Sequence, residues 1–298
     1  MSDATLAQGH RLTELILREK SPHDFMQSLH ENWGAVQKIG RGELTQAMIQ
    51  ASLQHIHNQN PYASEEVTPT FFYPEGYKPN SVEKQVEFLS AHLGWLDTSH
   101  VDALAKSWKK KYPKADGLYV VPKPTAVANH LALSDHWTNF GLLTEQGPLA
   151  ALATQRKFTN YRAGQLGPDR YHLAATAASA LIALEAKQPG DLLVYPAQTG
   201  KLYAGNSPRN ARLKIEHAQA PSQWPQPSYC VGWMLYANPH RLAKYEHLVI
   251  DCSGDEYRLG AAGEFAYVLC FDFGGGELYC AESWGDAPHG ACGSASGW

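Results

Sequence analysis

The sequence predicts an α+β fold: a helical N-terminal part followed by a mixed or antiparallel β-sheet with a long covering helix. Three observations support this. Apolar residues recur at helical spacing in residues 1–60, the Ala-rich segment from Arg170 to Lys187 carries one apolar face, and four runs of the last seventy residues are rich in Val, Tyr, Phe, Trp and Leu. With 298 residues, 44% apolar and 18% charged, the chain can bury a core, which excludes a disordered chain and a coiled coil.

We expect three regions along the chain. The first, residues 1–60, is helical, with a stripe formed by Phe25, Leu29, Trp33 and Val36. The second, residues 61–116, starts with a Pro-rich and aromatic extended crossing and continues with two helices. Asn80-Ser81 opens one of them, which runs through Leu93, and Ser99 to Asp102 has the spacing of a capping box for the other.

The third region, residues 117–298, is predicted to be the α+β core, ending in a C-terminal β-hairpin. Gly117–Pro122 has the pattern of a buried strand, and the helix that begins at Arg170 ends at Gln188-Pro189-Gly190. After it, the pattern predicts two strands, Asp191 to Tyr195 and Lys201 to Ala204, with a turn between them.

Four further strands are predicted in the last seventy residues: Tyr229 to Tyr236, His247 to Cys252, Phe265 to Phe273 and Glu277 to Trp284. Gly274-Gly275-Gly276 joins the last two as a hairpin. The third run is apolar on both faces, so we expect it to be a central or covered strand. The Gly/Ser/Ala-rich tail, Pro288 to Trp298, is predicted to be loose.

Composition predicts a cytoplasmic protein with no membrane partner. No apolar run approaches eighteen residues, and the first five residues, Met1 to Thr5, lack a basic start and an apolar stretch. The cysteines are odd in number and widely spaced, which fits a reducing compartment. They are Cys230, Cys252, Cys270, Cys280 and Cys292.

Charge is segregated along the chain. Residues 1–150 hold 13 basic and 16 acidic side chains, residues 151–245 hold 11 and 4, and residues 246–298 hold 1 and 9. The middle segment is therefore net +7 and the last segment net −8. Such segregation indicates either an anion-binding region beside an acidic site, or two segments that pack together and neutralise each other.

An anion site is predicted in the middle segment. Between Gln155 and His172, four basic residues alternate with Phe and Tyr, and guanidinium groups bind phosphate with two parallel hydrogen bonds. A second, similar group follows on a helix that Ser207 caps and Pro208 opens. The alternative is that these side chains pair with the acidic C-terminal segment. The predicted anion-binding residues are Arg156, Lys157, Arg162, Arg170, Arg209 and Arg212.

A metal site is predicted after the apolar strand His247 to Ile250. There Asp251, Asp255 and Glu256 supply the carboxylate oxygens that Mg²⁺ or Mn²⁺ prefers. The alternative is a turn in which Asp255 bonds its own backbone. A cysteine nucleophile is a further hypothesis, with Cys252 the better placed candidate.

Three functions follow from these features. The first is a binding protein for an anionic partner, either nucleic acid or a phosphorylated small molecule such as a nucleotide. The second is a metal-dependent phosphoester hydrolase using the carboxylates between 251 and 256. The third is a protein interaction module with an aromatic surface. The sequence contains no P-loop, dinucleotide loop, zinc-protease motif or serine nucleophile elbow, so it leaves open whether the protein is an enzyme.

Overall fold

The computed structural model of the protein describes residues 60–108, 112–218, 223–260 and 262–298. The helices predicted in residues 1–60 lie outside the described residues, which begin at Asn60. The chain divides after Gln59, and Asn60–Trp298 is one compact unit.

Eight α-helices are described; a π-helical turn, Glu145–Leu149, joins the fourth to the fifth, and a 3-10 turn, Pro239–Arg241, follows the eighth. Their bounds are α1 Val82–His92, α2 Val101–Trp108, α3 Pro124–His130, α4 Phe140–Thr144, α5 Ala150–Gln155, α6 Ala175–Lys187, α7 Pro208–Glu216 and α8 Ser228–Ala237. In the described part of the chain, no helix combines the length and apolar character that crossing a bilayer requires.

The strands form a mixed nine-stranded sheet, which confirms the α+β class. Their bounds are β1 Gly117–Pro122, β2 Phe158–Asn160, β3 Tyr171–Leu173, β4 Leu192–Ala204, β5 Trp224–Pro225, β6 Val249–Tyr257, β7 Tyr267–Gly274, β8 Glu277–Trp284 and β9 Cys292–Gly297. The order is β1-β4-β9-β6-β7-β8-β2, with β3 paired to β6 and β5 paired to β9. The β2–β8 and β6–β9 pairs are parallel, and the other pairs are antiparallel.

Strands β6 and β9 diverge, and the segment before α8 passes between them. Their pairing ends at Asp251 opposite Ser294, after which β6 pairs with β3 and β9 pairs with β5. In the opening, the Gln226 amide donates to the Ala295 carbonyl, and the Gly254 amide donates to the Gln226 carbonyl, both at 3.1 Å. We call this opening between β6 and β9 the fork. The chain passes through the fork, so the first turn of α8 lies in the core.

The strand predicted from Tyr229 to Tyr236 is wrong, because these residues belong to helix α8. The helix is buried along its whole length. An apolar run of this length without alternation fits a buried helix as well as a buried strand, and the periodicity cannot separate the two. The helix packs against α1, α5, β1 and β6. Its first amide, at Ser228, donates to the Asp255 carboxylate at 3.0 Å, which satisfies one of the free N–H groups of the first turn.

Several local predictions are confirmed. Strand β1 has the predicted bounds, and Ser81 and Ser207 cap α1 and α7 through their side chains. The β7–β8 hairpin closes through Gly275 and Gly276, whose φ values of +58° and +83° suit a two-residue turn. Strand β7 is an interior strand, as its apolar faces predict.

Other predictions need correction. The helix predicted from Arg170 begins at Ala175, because residues 171–173 pair with β6 as β3. The two strands predicted between Asp191 and Ala204 are one strand, β4, with a register shift after Thr199 instead of a turn.

The C-terminal tail is a buried interior strand, so the prediction of a loose tail is wrong. Strand β9 lies between β4 and β6, and its small residues allow close approach of neighbouring chains. A Cβ atom at Gly293 would overlap the backbone of Gly200 on β4. The Gly, Ser and Ala content of this segment, from which flexibility was predicted, allows tight packing of β9 between its neighbours.

Candidate functional site

Two of the predicted anion-binding arginines are engaged inside the fold. Arg156 donates to the carbonyls of Pro239 at 3.1 Å and Leu242 at 2.7 Å. The Arg162 Nε atom lies 2.5 Å from a carboxylate oxygen of Glu282 on β8. Both guanidinium groups are therefore bound to acceptors within the protein.

Arg209 is also paired, and Lys157 is exposed. The Arg209 Nε donates to both carboxylate oxygens of Glu65 at 3.0 Å, and the Ser207 hydroxyl donates to the same carboxylate. This pairing joins α7 to the segment before α1. Lys157 lies just before β2 with an exposed side chain.

Arg212 ties α7 to β6 through three acceptors. It donates to the carbonyls of Ser253 and Asp255, both at 2.7 Å, and to a carboxylate oxygen of Glu256 at 2.8 Å. The other carboxylate oxygen of Glu256 lies 3.1 Å from Nδ1 of His172 on β3. Glu256 is thus shared between an arginine and a histidine.

Arg170 and Arg258 are neighbours across the β3–β6 pair. His172 pairs with Glu256, and the Arg258 amide donates to the Arg170 carbonyl at 3.0 Å, which extends the ladder. Because side chains alternate along a strand, positions 170, 172, 256 and 258 share one face. Phe265 covers part of this face, with its centroid 4.0 Å from the His172 ring and 4.6 Å from the Arg258 guanidinium carbon.

We call Arg170, His172, Arg212 and Arg258 the basic strip. Arg258 donates to the carbonyls of Asp169 at 2.6 Å and Gly263 at 3.0 Å. Arg170 is held less firmly, since the Asp169 carboxylate is 3.8 Å from its Nε and its side chain is 32% exposed. Like charges placed opposite each other across strands are unfavourable, so Arg170 and Arg258 repel each other.

A shallow pocket adjoins the basic strip. It has a volume of about 400 Å³ and lies between α6, α7 and β5. The Thr176 hydroxyl donates to the Glu216 carboxylate at 2.7 Å across its rim. Glu216 is one helical turn from Arg212, which places the pocket next to the basic strip. The lining residues are Ala175, Thr176, Ser179, Ala180, Glu216, Gln223 and Trp224.

The three predicted metal ligands have separate environments. Asp251 is buried, Asp255 accepts from the Tyr171 hydroxyl at 2.5 Å and from the Ser228 amide, and Glu256 belongs to the ion pairs around Arg212. All three lie in strand β6, so the predicted loop and the alternative turn are both wrong. No group of three His, Cys, Asp or Glu side chains suited to a metal ion occurs in the described residues.

Burial changes the ionisation of these carboxyls. It raises the pKa of Asp251 to about 7, against the opposing effect of the Ser283 hydroxyl. It also raises the pKa of Asp255 to about 7, although hydrogen bonds from Tyr171 and Ser228 act in the other direction. Both groups are 1% exposed or less, so neither lies on an open surface.

The cysteines have the environment of packed core residues. Cys252 is fully buried, and burial raises the pKa of its thiol well above the ordinary value. Burial likewise raises the pKa of Cys230 to about 12. A protonated thiol is a poor nucleophile, so these surroundings do not favour the cysteine hypothesis.

The sequence prediction missed four residues of this region: His172, Glu216, Trp224 and Arg258. Arg258 carried a signal, because it is the one basic residue between 246 and 298. The others have no local pattern that separates them from core or surface residues.

Comparisons of the chain with protein-family models, with curated proteins and with solved structures found no match in any of the three.

Proposed function

We propose that the protein binds a compact phosphate-bearing ligand at the basic strip. The observation that carries the proposal is the cross-strand neighbourhood of Arg170 and Arg258 on one face of β3 and β6. Of the two, Arg170 makes the fewer contacts with the protein: its guanidinium donates to the Gln165 side-chain oxygen at 3.4 Å, and its nearest carboxylate is at 3.8 Å. Two guanidinium groups on one surface suit phosphate oxygens, which accept parallel hydrogen bonds.

A small ligand fits better than a nucleic acid. A polymer needs a row of cations to match successive phosphates. Arg156, Arg162 and Arg209, which would extend the row, are bonded to carbonyl or carboxylate groups of the protein. What remains is a short strip, in which positions 170 and 172 are about 7 Å apart along the strand.

Phe265 supports the proposal by fixing the strip. Its ring packs against His172 and Arg258, which reduces the freedom of both side chains before a ligand arrives. Ordering long side chains in advance lowers the entropic cost of binding. Such a contact also shields the arginine from water on one side, which strengthens its interaction with an anion.

The proposal is tested by calorimetric titration of the full chain with pyrophosphate and with nucleoside monophosphates. We expect binding that weakens with salt and is unchanged by EDTA. R170A and R258A should each weaken binding by about tenfold or more, which corresponds to losing one charge-assisted hydrogen bond.

The matched control is Lys84→Ala, which removes the same charge from an exposed pair with Glu87. It should leave the affinity unchanged. Thermal unfolding of each variant reports whether it is folded. Absence of binding by the wild-type chain, or equal affinity of R170A, R258A and wild type, would overturn the proposal. Tighter binding of heparin than of any nucleotide would indicate a polymeric partner instead.

A further inference from the structure

We infer that His172 accepts a phosphoryl group at its Nε2 atom from a phosphoanhydride bound at the basic strip. The inference rests on the proposed function, because the arginines of the strip supply the phosphate contacts. It adds a chemical step to binding: the terminal phosphoryl group leaves the ligand and becomes attached to the imidazole ring.

The hydrogen bonds of His172 fix which ring nitrogen carries the proton. Its Nδ1 atom lies 3.1 Å from a carboxylate oxygen of Glu256 and 3.4 Å from the carbonyl oxygen of Leu173. The carbonyl can only accept, and the carboxylate is also paired with the Arg212 guanidinium at 2.8 Å. In the neutral ring the hydrogen therefore resides on Nδ1, and the lone pair that can attack phosphorus resides on Nε2.

The Nε2 atom of His172 is open to a ligand. It has no hydrogen-bond partner within the described residues, where both polar contacts of the ring are made by Nδ1. The side chain is 43% exposed, and the Phe265 ring packs against it with the two centroids 4.0 Å apart. A nucleophile needs an unblocked lone pair in a fixed position, and His172 provides one at the surface.

Glu256 orients the ring for this reaction. It lies directly opposite His172 in the β3–β6 pair, so the backbone ladder sets the spacing of the two side chains. Arg212 binds the other oxygen of the carboxylate and also donates to two carbonyls of β6. When Nε2 bonds to phosphorus, the imidazole becomes positively charged, and a carboxylate beside Nδ1 stabilises that charge. Glu256 is thus a positioning residue, and His172 is the catalytic residue.

Two arginines are the neighbours of His172 on the same face. Arg170 precedes it by two residues, about 7 Å along the strand. Arg258 is its diagonal neighbour across the β3–β6 pair, and the Phe265 centroid, 4.0 Å from the His172 ring, lies 4.6 Å from the Arg258 guanidinium carbon. During phosphoryl transfer, negative charge spreads over the three equatorial oxygens of the transferred group. Guanidinium groups placed beside the nucleophile stabilise that charge.

The step conserves atoms and electrons. The Nε2 lone pair forms a bond to the terminal phosphorus as the bond from that phosphorus to the bridging oxygen breaks, and the bridging oxygen keeps the electron pair. With pyrophosphate, the products are N-phosphorylated His172 and one phosphate ion. Water then attacks the phosphorus, the N–P bond breaks, its electron pair returns to Nε2, and a second phosphate ion is released with a proton to solvent.

A phosphoanhydride suits this site better than a phosphate ester. The leaving group of an anhydride is a phosphate ion, which departs without a proton and can remain beside the arginines. The alkoxide of an ester needs a proton donor at the bridging oxygen. Glu256, the carboxyl group closest to the ring, is occupied by Arg212 and by Nδ1 of His172.

The test mixes the full chain with radiolabelled pyrophosphate in the presence of EDTA, which inhibits metal-dependent phosphatase contaminants. Samples are quenched in alkali within one turnover. We expect release of phosphate and a covalent label at residue 172 that survives alkali and is lost in acid, as an N–P bond requires. A label with the opposite stability would indicate a hydroxyl acceptor, and phosphate release without a label would indicate direct attack by water. Either result would overturn the inference.

Three variants test the roles of the side chains. His172→Gln should reduce labelling and phosphate release at least about a hundredfold while the affinity for pyrophosphate stays within about threefold. Glu256→Gln places an amide donor beside Nδ1, which moves the ring proton to Nε2 and should slow labelling about tenfold or more. Nitrogen NMR shifts of His172 report this change of tautomer, which a merely structural role would not produce. His100→Gln, at an exposed histidine just before α2, is the control and should change neither rate.

The outcomes distinguish this inference from the proposed function. Pyrophosphate that binds without label and without phosphate release would overturn the transfer step and leave phosphate binding standing. Labelling of His172→Gln at the rate of the wild type would also overturn the transfer step. Failure of the wild-type chain to bind pyrophosphate would overturn both proposals. Thermal unfolding reports whether each variant is folded.

Discussion

Arg212 on α7 and Glu256 on β6 form an ion pair of 2.8 Å that is reinforced by two carbonyls of the same strand. The pair crosses from the basic middle segment to the acidic C-terminal segment. The Arg162–Glu282 pair makes a second such crossing, at 2.5 Å. Part of the charge segregation in the sequence is therefore neutralised inside the fold by these two pairs, and Arg170 and Arg258 are neighbours that remain partly available.

Removing Arg212 should destabilise the protein. Arg212→Ala leaves two carbonyls and the Glu256 carboxylate without their donor, so we expect the free energy of unfolding to fall by about 2 to 4 kcal/mol. Arg212→Lys should recover only part of this, because one ammonium does not reach three acceptors as a guanidinium does. Urea unfolding measures the change. Lys84→Ala in an exposed pair should cost less than about 0.5 kcal/mol, and equal losses for both sites would contradict the prediction.

Asp251 should make the protein less stable as the pH rises. Its pKa is about 7 in the fold and about 4 in an unfolded chain, so the native state holds a proton that the unfolded state has released. The free energy of unfolding should therefore decrease from about pH 4 to about pH 7, by up to roughly 4 kcal/mol, and stay low above that range. Asp251→Asn should remove about half of the slope over this range, because Asp255 has the same raised pKa and contributes the other half, and it should increase stability at pH 8. An unchanged slope would refute the assignment.

Asp255 provides the contrast to Asp251. Its carboxylate accepts from Tyr171 on β3 and from the first amide of α8, so its hydrogen bonds hold two other elements to β6. Asp255→Asn places an amide donor where acceptors are needed, and we expect a loss of about 1 to 3 kcal/mol at pH 8. The measurement is urea unfolding of both variants at this pH. A gain in stability on Asp255→Asn would contradict the prediction, because it would show that the hydrogen bonds of Asp255 do not offset the free-energy cost of burying its carboxylate.

Gly254 should not tolerate a side chain. A Cβ atom there would lie 2.6 Å from the Pro225 carbonyl oxygen and 2.7 Å from the Pro227 nitrogen, which are backbone atoms inside the fork between β6 and β9. Gly254→Ala should cost about 3 kcal/mol or prevent folding. Gly260→Ala is the control, because a Cβ atom there has nothing within 4 Å. Thermal unfolding of the two variants compares them, and similar midpoints would contradict this geometry.

Strand β9 should be required for folding. Deleting residues 292–298 removes an interior strand that pairs with β4, β6 and β5, so the sheet would split into two edges. We expect loss of the cooperative thermal transition, measured by circular dichroism. A shortened chain that still unfolds cooperatively would show that β4 and β6 fold in the absence of β9, which would contradict the prediction.

Local signals in the sequence determined several elements. The Ser81 and Ser207 caps, the breakers around Gly117–Pro122 and the paired glycines at 275 and 276 each act through neighbouring residues. Turn and cap geometry depends on a few adjacent backbone angles, so these elements could be predicted without knowledge of the fold.

The tertiary structure alone decided the rest. Whether the apolar run after Ser228 forms a helix, and whether the small residues after Cys292 form a strand, depends on which distant segments surround them. The same holds for the candidate site. The sequence named Arg170 and Arg212. Arg212 is engaged by acceptors of β6 that lie about forty residues further along the chain, whereas the carboxylate nearest to Arg170 belongs to the adjacent residue, Asp169. A charge count contains no information on which distant strand reaches a side chain.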